Sequence, residues 1–154
     1  MAITNAAYEA EEEYMEINTR YGKQMVAKSS LLTFPEGLLG FEDLRNYKLF
    51  HEEGKSTVHY LQSTEDSDIR LPVVTPESCK IDYNIDLSDQ DMNKLDVGTD
   101  DELVVVLTLS DNQDNPAAGI TANFMAPIII NTSKRTGIQK TLNQISGGVT
   151  IQAQ

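Results

Sequence analysis

Residues 31–44 read Leu-Leu-Thr-Phe-Pro-Glu-Gly-Leu-Leu-Gly-Phe-Glu-Asp-Leu and gather large apolar side chains around one proline and two glycines. Pro35 has a fixed φ and no backbone N–H, and it biases Phe34 towards an extended conformation. Gly37 follows two residues later, which is typical of a turn that needs a positive φ. We therefore predict a strand that ends at Phe34, a sharp turn, and a chain that then re-enters the protein. The apolar residues after the turn are Leu38, Leu39 and Phe41.

We call residues 34–44 the corner, and two roles are open for it. Apolar residues as dense as these suit a structural corner that closes one end of a core. They also suit a surface that stays partly exposed and docks a partner, for example a helix laid into an apolar groove. The candidate partner-binding residues are Phe34, Pro35, Glu36, Gly37, Leu38, Leu39 and Phe41.

The length and composition of the chain indicate one globular domain. It has 154 residues, of which 40% are hydrophobic and 23% charged, and this is enough for a real core. Residues 15–143 form the predicted β domain. It lies between a mobile N-terminal extension at residues 1–14 and a loose C-terminal tail at residues 144–154.

The net charge is strongly negative. Twelve Lys and Arg stand against 24 Asp and Glu, which gives −12. Phosphate backbones are repelled by such a chain, so we predict no direct nucleic-acid binding. A basic protein partner is attracted and steered towards it. The alternative is that the acidity only keeps a small protein soluble.

Alternating apolar and polar residues predict short strands separated by turns. The predicted strands include a hairpin over residues 15–19 and 24–27, a strand over 81–87, a central strand over 103–109 and a long strand over 119–126. A capped helix is predicted to begin at Ser88 and to stop at Gly98, and one helical turn over residues 41–46. We therefore predict an all-β fold, a compact antiparallel β-barrel-like or sandwich domain with one or two short helices.

A catalytic or metal site is not indicated by any pattern in the sequence. There is no glycine-rich phosphate loop and no nucleophile elbow, so we predict no enzymatic activity and no cofactor. His51 and His59 fall on adjacent predicted strands and can face each other across a hairpin, but two ligands do not make a metal site, even with Glu52 or Glu53 nearby. The loop at residues 111–115 lacks the glycine and the closing Glu of a calcium loop.

The single cysteine, Cys79, is predicted to be a packed thiol, and it excludes a disulfide within the chain. The acidic N-terminus does not fit a signal peptide, and no apolar run approaches the roughly 20 residues that span a bilayer. We expect a cytoplasmic protein that does not bind membranes and is monomeric alone.

Three segments carry a resemblance to a known family. The first is the Leu-Leu-Thr-Phe-Pro-Glu-Gly-Leu-Leu-Gly-Phe run at residues 31–41. The second joins Leu-Gln-Ser-Thr-Glu-Asp at 61–66 to Leu-Pro-Val-Val-Thr-Pro at 71–76, and the third is Ala-Asn-Phe-Met-Ala-Pro-Ile-Ile-Ile-Asn at 122–131, followed by Gly137 and Gln139. In this order and spacing they resemble the FliW family of flagellar assembly factors. Leu71 stands where that family more often has Phe.

The resemblance implies a β-barrel-like protein without catalytic activity and with two protein partners. One is flagellin, bound through its terminal helical region before export. The other is the RNA-binding translational repressor CsrA, which such proteins inhibit away from its RNA surface, so that flagellin translation follows flagellin export. The rival class is a small-ligand or carbohydrate-binding β-barrel with the His51 and His59 hairpin at its mouth, for which a pocket lined by aromatic rings is expected.

Overall fold

The computed structural model describes residues 12–51, 57–80, 83–111 and 120–142. Within them the first strands are β1 (Tyr14–Thr19), β2 (Gly22–Ala27), β3 (Leu31–Thr33), β4 (Asn46–His51) and β5 (His59–Ser63). They are followed by β6 (Arg70–Val74), α1 (Asp89–Lys94), β7 (Leu103–Asp111), β8 (Ile120–Ala122), β9 (Ile128–Asn131) and β10 (Thr136–Gln139). Short 3₁₀ turns lie at Lys28–Ser30 and Pro76–Cys79.

Seven strands close into a barrel in the order β3, β4, β5, β6, β7, β9 and β10, with β10 back against β3. The pairing of β6 with β7 completes the ring, β8 is added to the side of β7, and β1 and β2 form a separate hairpin. The predicted all-β, barrel-like fold is confirmed. One pair, β3 with β10, is parallel through Thr33 and Thr136, because a ring with an odd number of strands cannot alternate in direction throughout.

The core has two parts, one inside the barrel and one outside it. The interior cluster consists of Leu32, Phe34, Leu38, Tyr47, Leu61, Val73, Val106, Ile128 and Ile130. The smaller outer cluster consists of Leu95, Ile129 and Ile138. All of β9 is buried, because one of its faces lines the barrel and the other is covered by the segment that contains α1. An uninterrupted run of isoleucines suits a strand that is buried on both faces.

Strand β7 and helix α1 agree with the sequence analysis. β7 pairs with β6, β8 and β9, which confirms the predicted central strand. α1 begins at a capping box, in which Ser88 Oγ accepts from the N–H of Asp91 (3.1 Å) and Asp91 Oδ2 accepts from the N–H of Ser88 (3.0 Å). The helix ends at Lys94, earlier than the predicted stop at Gly98.

The predicted strand at residues 81–87 is wrong for its described part, since residues 83–87 belong to no ladder. Their exposure still alternates, with Tyr83 and Ile85 partly buried and Asn84 exposed. The Tyr83 hydroxyl donates to the carbonyl of Phe124, and the two rings lie 6.0 Å apart. The period of two therefore reflects an extended segment packed across the barrel by its side chains, not a hydrogen-bonded strand.

Two further expectations are corrected. The strand predicted over residues 119–126 ends at Ala122, because the Asn123 side chain accepts from the N–H of Met125 (3.1 Å) and turns the chain. Residues 41–46 contain turns and the start of β4 in place of a helical turn. The loops predicted at 52–56 and 112–115, most of the extension at 1–14 and the tail at 144–154 lie outside the described residues.

Candidate functional site

The corner is a series of three tight turns between β3 and β4. The N–H of Gly37 donates to the carbonyl of Phe34 (2.8 Å), that of Phe41 to Leu38 (2.8 Å), and that of Leu44 to Phe41 (3.0 Å). Gly37 has φ +69°, so the predicted turn with a positive φ is confirmed. This arrangement turns the chain back towards the barrel after Pro35.

Burial divides the candidate partner-binding residues into two groups. Phe34 and Leu38 belong to the barrel interior, with Leu38 only 2% exposed, and Gly37 is buried as well. Leu39 is 50% exposed, and Phe41 is half-buried. The first group closes one end of the core, and the second leaves part of the corner exposed, so that docking of a partner there stays a prediction. The exposed candidate residues are Pro35, Glu36 and Leu39.

The exposed part of the corner is held by contacts with distant segments. The N–H of Leu39 donates to Gln139 Oε1 (2.8 Å), and Gln139 Nε2 donates to the carbonyl of Ala126 (2.9 Å). Beneath it, the ring of Phe34 meets the ring of Tyr47 edge-on, with centroids 5.5 Å apart. The backbone of Leu39 is therefore tethered to the end of β10 through Gln139.

Charges connect the corner to α1. Glu36 forms an ion pair with Lys94 at the end of the helix (3.2 Å). At the start of the helix, Asp91 Oδ2 lies 2.5 Å from Lys140 Nζ. Burial acts to raise the pKa of Asp91, but hydrogen bonds from Lys140 and Ser88 outweigh it and the net pKa is lowered. The two ion pairs link the helix to the corner and to the end of β10.

A polar network centred on Asn131 fixes the segment after α1. Its Nδ2 donates to the carbonyl of Leu95 (3.0 Å) and to Asp101 Oδ2 (3.0 Å), and Lys134 Nζ donates to the same carboxylate (2.9 Å). Hydrogen bonds from Asn131, Lys134 and the N–H of Gly98 lower the pKa of Asp101 to about 2. Every polar atom of the Asn131 side chain is engaged, so the network is structural.

A half-open cavity of about 150 Å³ lies within one end of the barrel. Its aliphatic walls are Leu32, Leu49, Val104, Val106 and Ile130. His59 and Thr75 also line it, at the start of β5 and just after β6, which places it near the end where β3 begins and β4 ends. We call this the cavity end. The corner joins the end of β3 to the start of β4 and therefore lies at the opposite end.

His51 and His59 are paired across the β4–β5 hairpin, as the sequence predicted, with ring centroids 4.6 Å apart. Burial and the neighbouring His51 lower the pKa of His59. The described residues contain no group of three or more metal-ligating side chains. Among the described residues that line the cavity, the imidazole of His59 is the only aromatic ring, whereas a carbohydrate-binding barrel is expected to have several.

The prediction that Cys79 is a packed thiol is wrong, because this residue is exposed. It ends the 3₁₀ turn Pro76–Cys79, whose single buried residue is Pro76. Three features of the surface and interior were not predicted from the sequence: the Gln139 tether, the Glu36–Lys94 ion pair and the cavity. Of these residues, only Gln139 was singled out in the sequence, because it follows the third segment that resembles the FliW family.

The fold and the corner define a small closed β-barrel protein that presents apolar side chains on a fixed loop. A family model described as FliW protein matches residues 16–152. A flagellar assembly factor FliW from Azoarcus sp. (strain BH72) is 37% identical over 136 residues, which cover 86% of this chain and 93% of the relative. The chain belongs to the FliW family.

Other relatives agree with this assignment. The flagellar assembly factor FliW 1 of Desulfotalea psychrophila (strain LSv54 / DSM 12343) is 31% identical and covers 83% of this chain and 91% of its own. A crystal structure of the flagellar assembly factor FliW matches with a TM-score of 0.75 at 26% identity, over 90% of this chain and 95% of that one. Among the described residues no helix is long and apolar enough to cross a membrane.

Proposed function

We propose that this protein is a flagellar assembly factor that binds flagellin and the translational repressor CsrA in the cytoplasm. By occupying CsrA it relieves repression of flagellin translation, and by occupying flagellin it releases CsrA, so that translation follows export. It acts by binding and not by catalysis. Membership of the FliW family and relatives named flagellar assembly factors support this proposal.

The observation that carries the proposal is the exposure of Leu39 on the corner. A large aliphatic side chain that is half exposed costs free energy in water, and here its backbone is tethered to Gln139. A fixed backbone loses little entropy when a partner binds. We propose that Leu39, with Pro35 and the half-buried Phe41, contacts the apolar face of a partner helix, as the terminal helical region of flagellin provides.

Substitution of Leu39 tests this contact. We expect Leu39→Asp to weaken flagellin binding by about tenfold or more, because it places a charge in an apolar contact, while the melting temperature changes little. Met25→Asp is the matched control, since Met25 is also exposed (63%) but lies on the β1–β2 hairpin. Binding is measured by isothermal titration calorimetry with purified flagellin. Wild-type affinity in Leu39→Asp, or an equal loss in Met25→Asp, argues against the corner.

Leu38→Asp separates the two roles of the corner. Leu38 is buried in the barrel interior, so a carboxylate there destabilises the fold, and loss of binding is then accompanied by loss of the cooperative melting transition. Leu39→Asp is expected to lose binding with the transition intact. If the two variants behave alike, the corner is a structural element only.

The charge of −12 supports the proposed interaction with CsrA. An acidic protein attracts a basic RNA-binding partner over a distance and, once bound, repels RNA phosphates from the complex. We expect the association rate with CsrA to fall as salt is raised, and displacement of RNA from CsrA to weaken in parallel. Stopped-flow fluorescence measures the first and an RNA gel shift the second. Salt-independent values of both contradict the electrostatic part of the proposal.

A further inference from the structure

A group of aromatic rings and cations lies on the outer wall of the barrel, away from the corner. Side chains alternate along a strand, so the neighbours of the residues that line the barrel interior face outwards. On β4, β5 and β6 the inward residues include Tyr47, Leu61 and Val73. The outward residues of the same three strands are Lys48, Phe50, Tyr60, Gln62, Arg70 and Pro72.

Arg70 lies among three aromatic rings on this outer face. Its guanidinium carbon is 4.2 Å from the ring centroid of Tyr60 and 4.9 Å from that of Tyr21. Tyr21 belongs to the turn between β1 and β2 and is 76% exposed. The ring of Phe50 is 5.9 Å from the same guanidinium and 5.5 Å from Lys48 Nζ. We call these five residues, Tyr21, Lys48, Phe50, Tyr60 and Arg70, the wall patch.

The two cations of the wall patch form no ion pair with any described residue. Arg70 is half-buried, and Nε is its one nitrogen that is both buried and without a partner there, so its terminal nitrogens are left facing solvent. Burial and the positive charge of Arg135 lower the pKa of Lys48. The wall patch is therefore a basic surface on a protein that has 24 acidic and 12 basic residues.

This arrangement suits a carboxylate on a peptide. A guanidinium that stacks on aromatic rings uses its faces and keeps its in-plane N–H groups for an acceptor, and a carboxylate fits that edge. The rings hold the guanidinium in place, so little entropy is lost when an acceptor binds. They also offer apolar area to a neighbouring side chain of the peptide. Nucleic acid is disfavoured, because the net charge of −12 repels its phosphates.

We propose that the wall patch docks a peptide segment of a protein partner, in which a carboxylate lies next to an apolar side chain. The carboxylate binds the terminal nitrogens of Arg70, and Lys48 adds a second positive charge beside Phe50. The apolar side chain packs on the rings of Tyr21 and Phe50. Arginine and aromatic residues are enriched in protein interfaces. The site goes beyond the proposed function, because it lies on the barrel wall and uses none of the corner residues.

The probe is the end-blocked peptide Gly-Ser-Leu-Glu-Leu-Ser-Gly in low-salt buffer, and the comparison peptide has Gln in place of Glu. We expect the Glu peptide to bind the full chain saturably and to shift the ring NMR resonances of Tyr21, Phe50 and Tyr60. The Gln peptide keeps the apolar side chains without the charge and is expected to bind about tenfold more weakly. Shifts confined to other residues, no saturation at the solubility limit, or equal binding of the two peptides overturns the proposal.

Two variants test the charged and the aromatic parts of the wall patch. Arg70→Gln is expected to lower affinity for the Glu peptide about tenfold, whereas Lys80→Gln, an equal charge change at an exposed residue outside the patch, leaves it unchanged. Tyr21→Ala is expected to weaken binding of both peptides about threefold. Tyr14→Ala is its matched control, since Tyr14 is also exposed (60%) but lies at the other end of β1. Equal affinity for the Glu peptide in the wild type and Arg70→Gln overturns the proposal.

The same spectra distinguish two other occupants. If single-stranded oligo-uridylate shifts the three rings and displaces the Glu peptide, the surface binds nucleic acid and the proposal is overturned. Ring shifts that grow with protein concentration alone indicate a second copy of this chain and overturn it likewise. If Arg70→Gln does not fold, the comparison of Tyr21→Ala with Tyr14→Ala decides. Neither flagellin nor CsrA enters the test, so its failure leaves the proposed function intact.

Discussion

The ring of Phe34 packs directly on the backbone of Gly137. A Cβ built on Gly137 lies 2.4 Å from Cε2 of that ring and 2.9 Å from Cδ2, closer than carbon atoms can approach without movement. Phe34 is fully buried and Gly137 lies on β10, opposite Ile130 of β9. The absence of a side chain at residue 137 therefore makes the space into which the first residue of the corner inserts.

Gly137→Ala is expected to lower the free energy of unfolding by about 1–3 kcal/mol, because the ring of Phe34 must move within a packed interior. Urea denaturation followed by circular dichroism measures the change. The double variant Gly137→Ala with Phe34→Leu is the check, since removing the ring removes the clash. The effect of Gly137→Ala is then expected to be smaller in the Phe34→Leu background, and equal effects in both contradict this origin.

A comparison of alanine substitutions at Gly37 and Gly40 separates the effect of backbone strain from that of steric contact. Both glycines have positive φ, +69° and +85°. A Cβ on Gly37 lies 2.6 Å from backbone atoms of Glu42, whereas one on Gly40 meets no atom of the described residues within 4 Å. Gly40→Ala is expected to cost about 1 kcal/mol from strain alone, and Gly37→Ala clearly more. Thermal unfolding of the two variants measures the difference. A smaller loss at Gly37 than at Gly40 contradicts the contact with Glu42.

Local chemistry accounts for what could be predicted from the sequence. The turn at Gly37 follows from the proline two residues before it, the helix start follows from Ser88, and β7 follows from a run that is rich in valine and leucine. The strand predicted at 81–87 failed because alternation indicates an extended chain with one buried face, and that chain is held here by contacts such as Tyr83 with Phe124, not by a ladder.

The parts of the candidate sites that the sequence did not predict depend on residues far apart in the chain. Leu39 and Gln139 are separated by 100 positions, and nothing local indicates that they meet. The cavity results from the volumes of side chains on several strands, which no single segment encodes. The sequence also could not show which part of the corner is buried, because Leu38 and Leu39 are both leucines. Their opposite burial is set by the turn in which the N–H of Phe41 donates to the carbonyl of Leu38.

The hydroxyl of Tyr47 is buried in the barrel interior and has no hydrogen-bond partner among the described residues, and burial together with Glu65 raises the pKa of Tyr47 to about 12. Tyr47→Phe keeps the ring against Phe34 and removes the unpaired hydroxyl, so the free energy of unfolding is expected to stay unchanged or to rise by about 1 kcal/mol. Tyr83→Phe is the comparison. Its hydroxyl donates to Phe124, and its loss is expected to cost about 1 kcal/mol. Destabilisation by Tyr47→Phe in urea denaturation contradicts an unpaired hydroxyl.

The lowered pKa of Asp101 predicts how the stability of the fold changes at low pH. Its pKa is lowered from 3.8 to about 2 in the folded protein, because Asn131 and Lys134 donate hydrogen bonds to the carboxylate. Between about pH 2 and pH 4 the carboxyl of Asp101 binds up to about one more proton in the unfolded chain than in the folded protein. The stabilisation is therefore fully present above about pH 4 and is lost as the pH falls towards 2.

Asp101→Asn is expected to be less stable than the wild type at neutral pH and to lose less stability between pH 4 and pH 2, since its amide does not titrate. Asp100→Asn is the matched control, because Asp100 is exposed and forms no ion pair within the described residues. Its unfolding is expected to keep the pH dependence of the wild type. Urea denaturation at several pH values measures both, and the same acid dependence in Asp101→Asn as in the wild type contradicts the role given to Asn131 and Lys134. Some acid dependence is expected to remain in Asp101→Asn, because Lys140 and Ser88 also lower the pKa of Asp91.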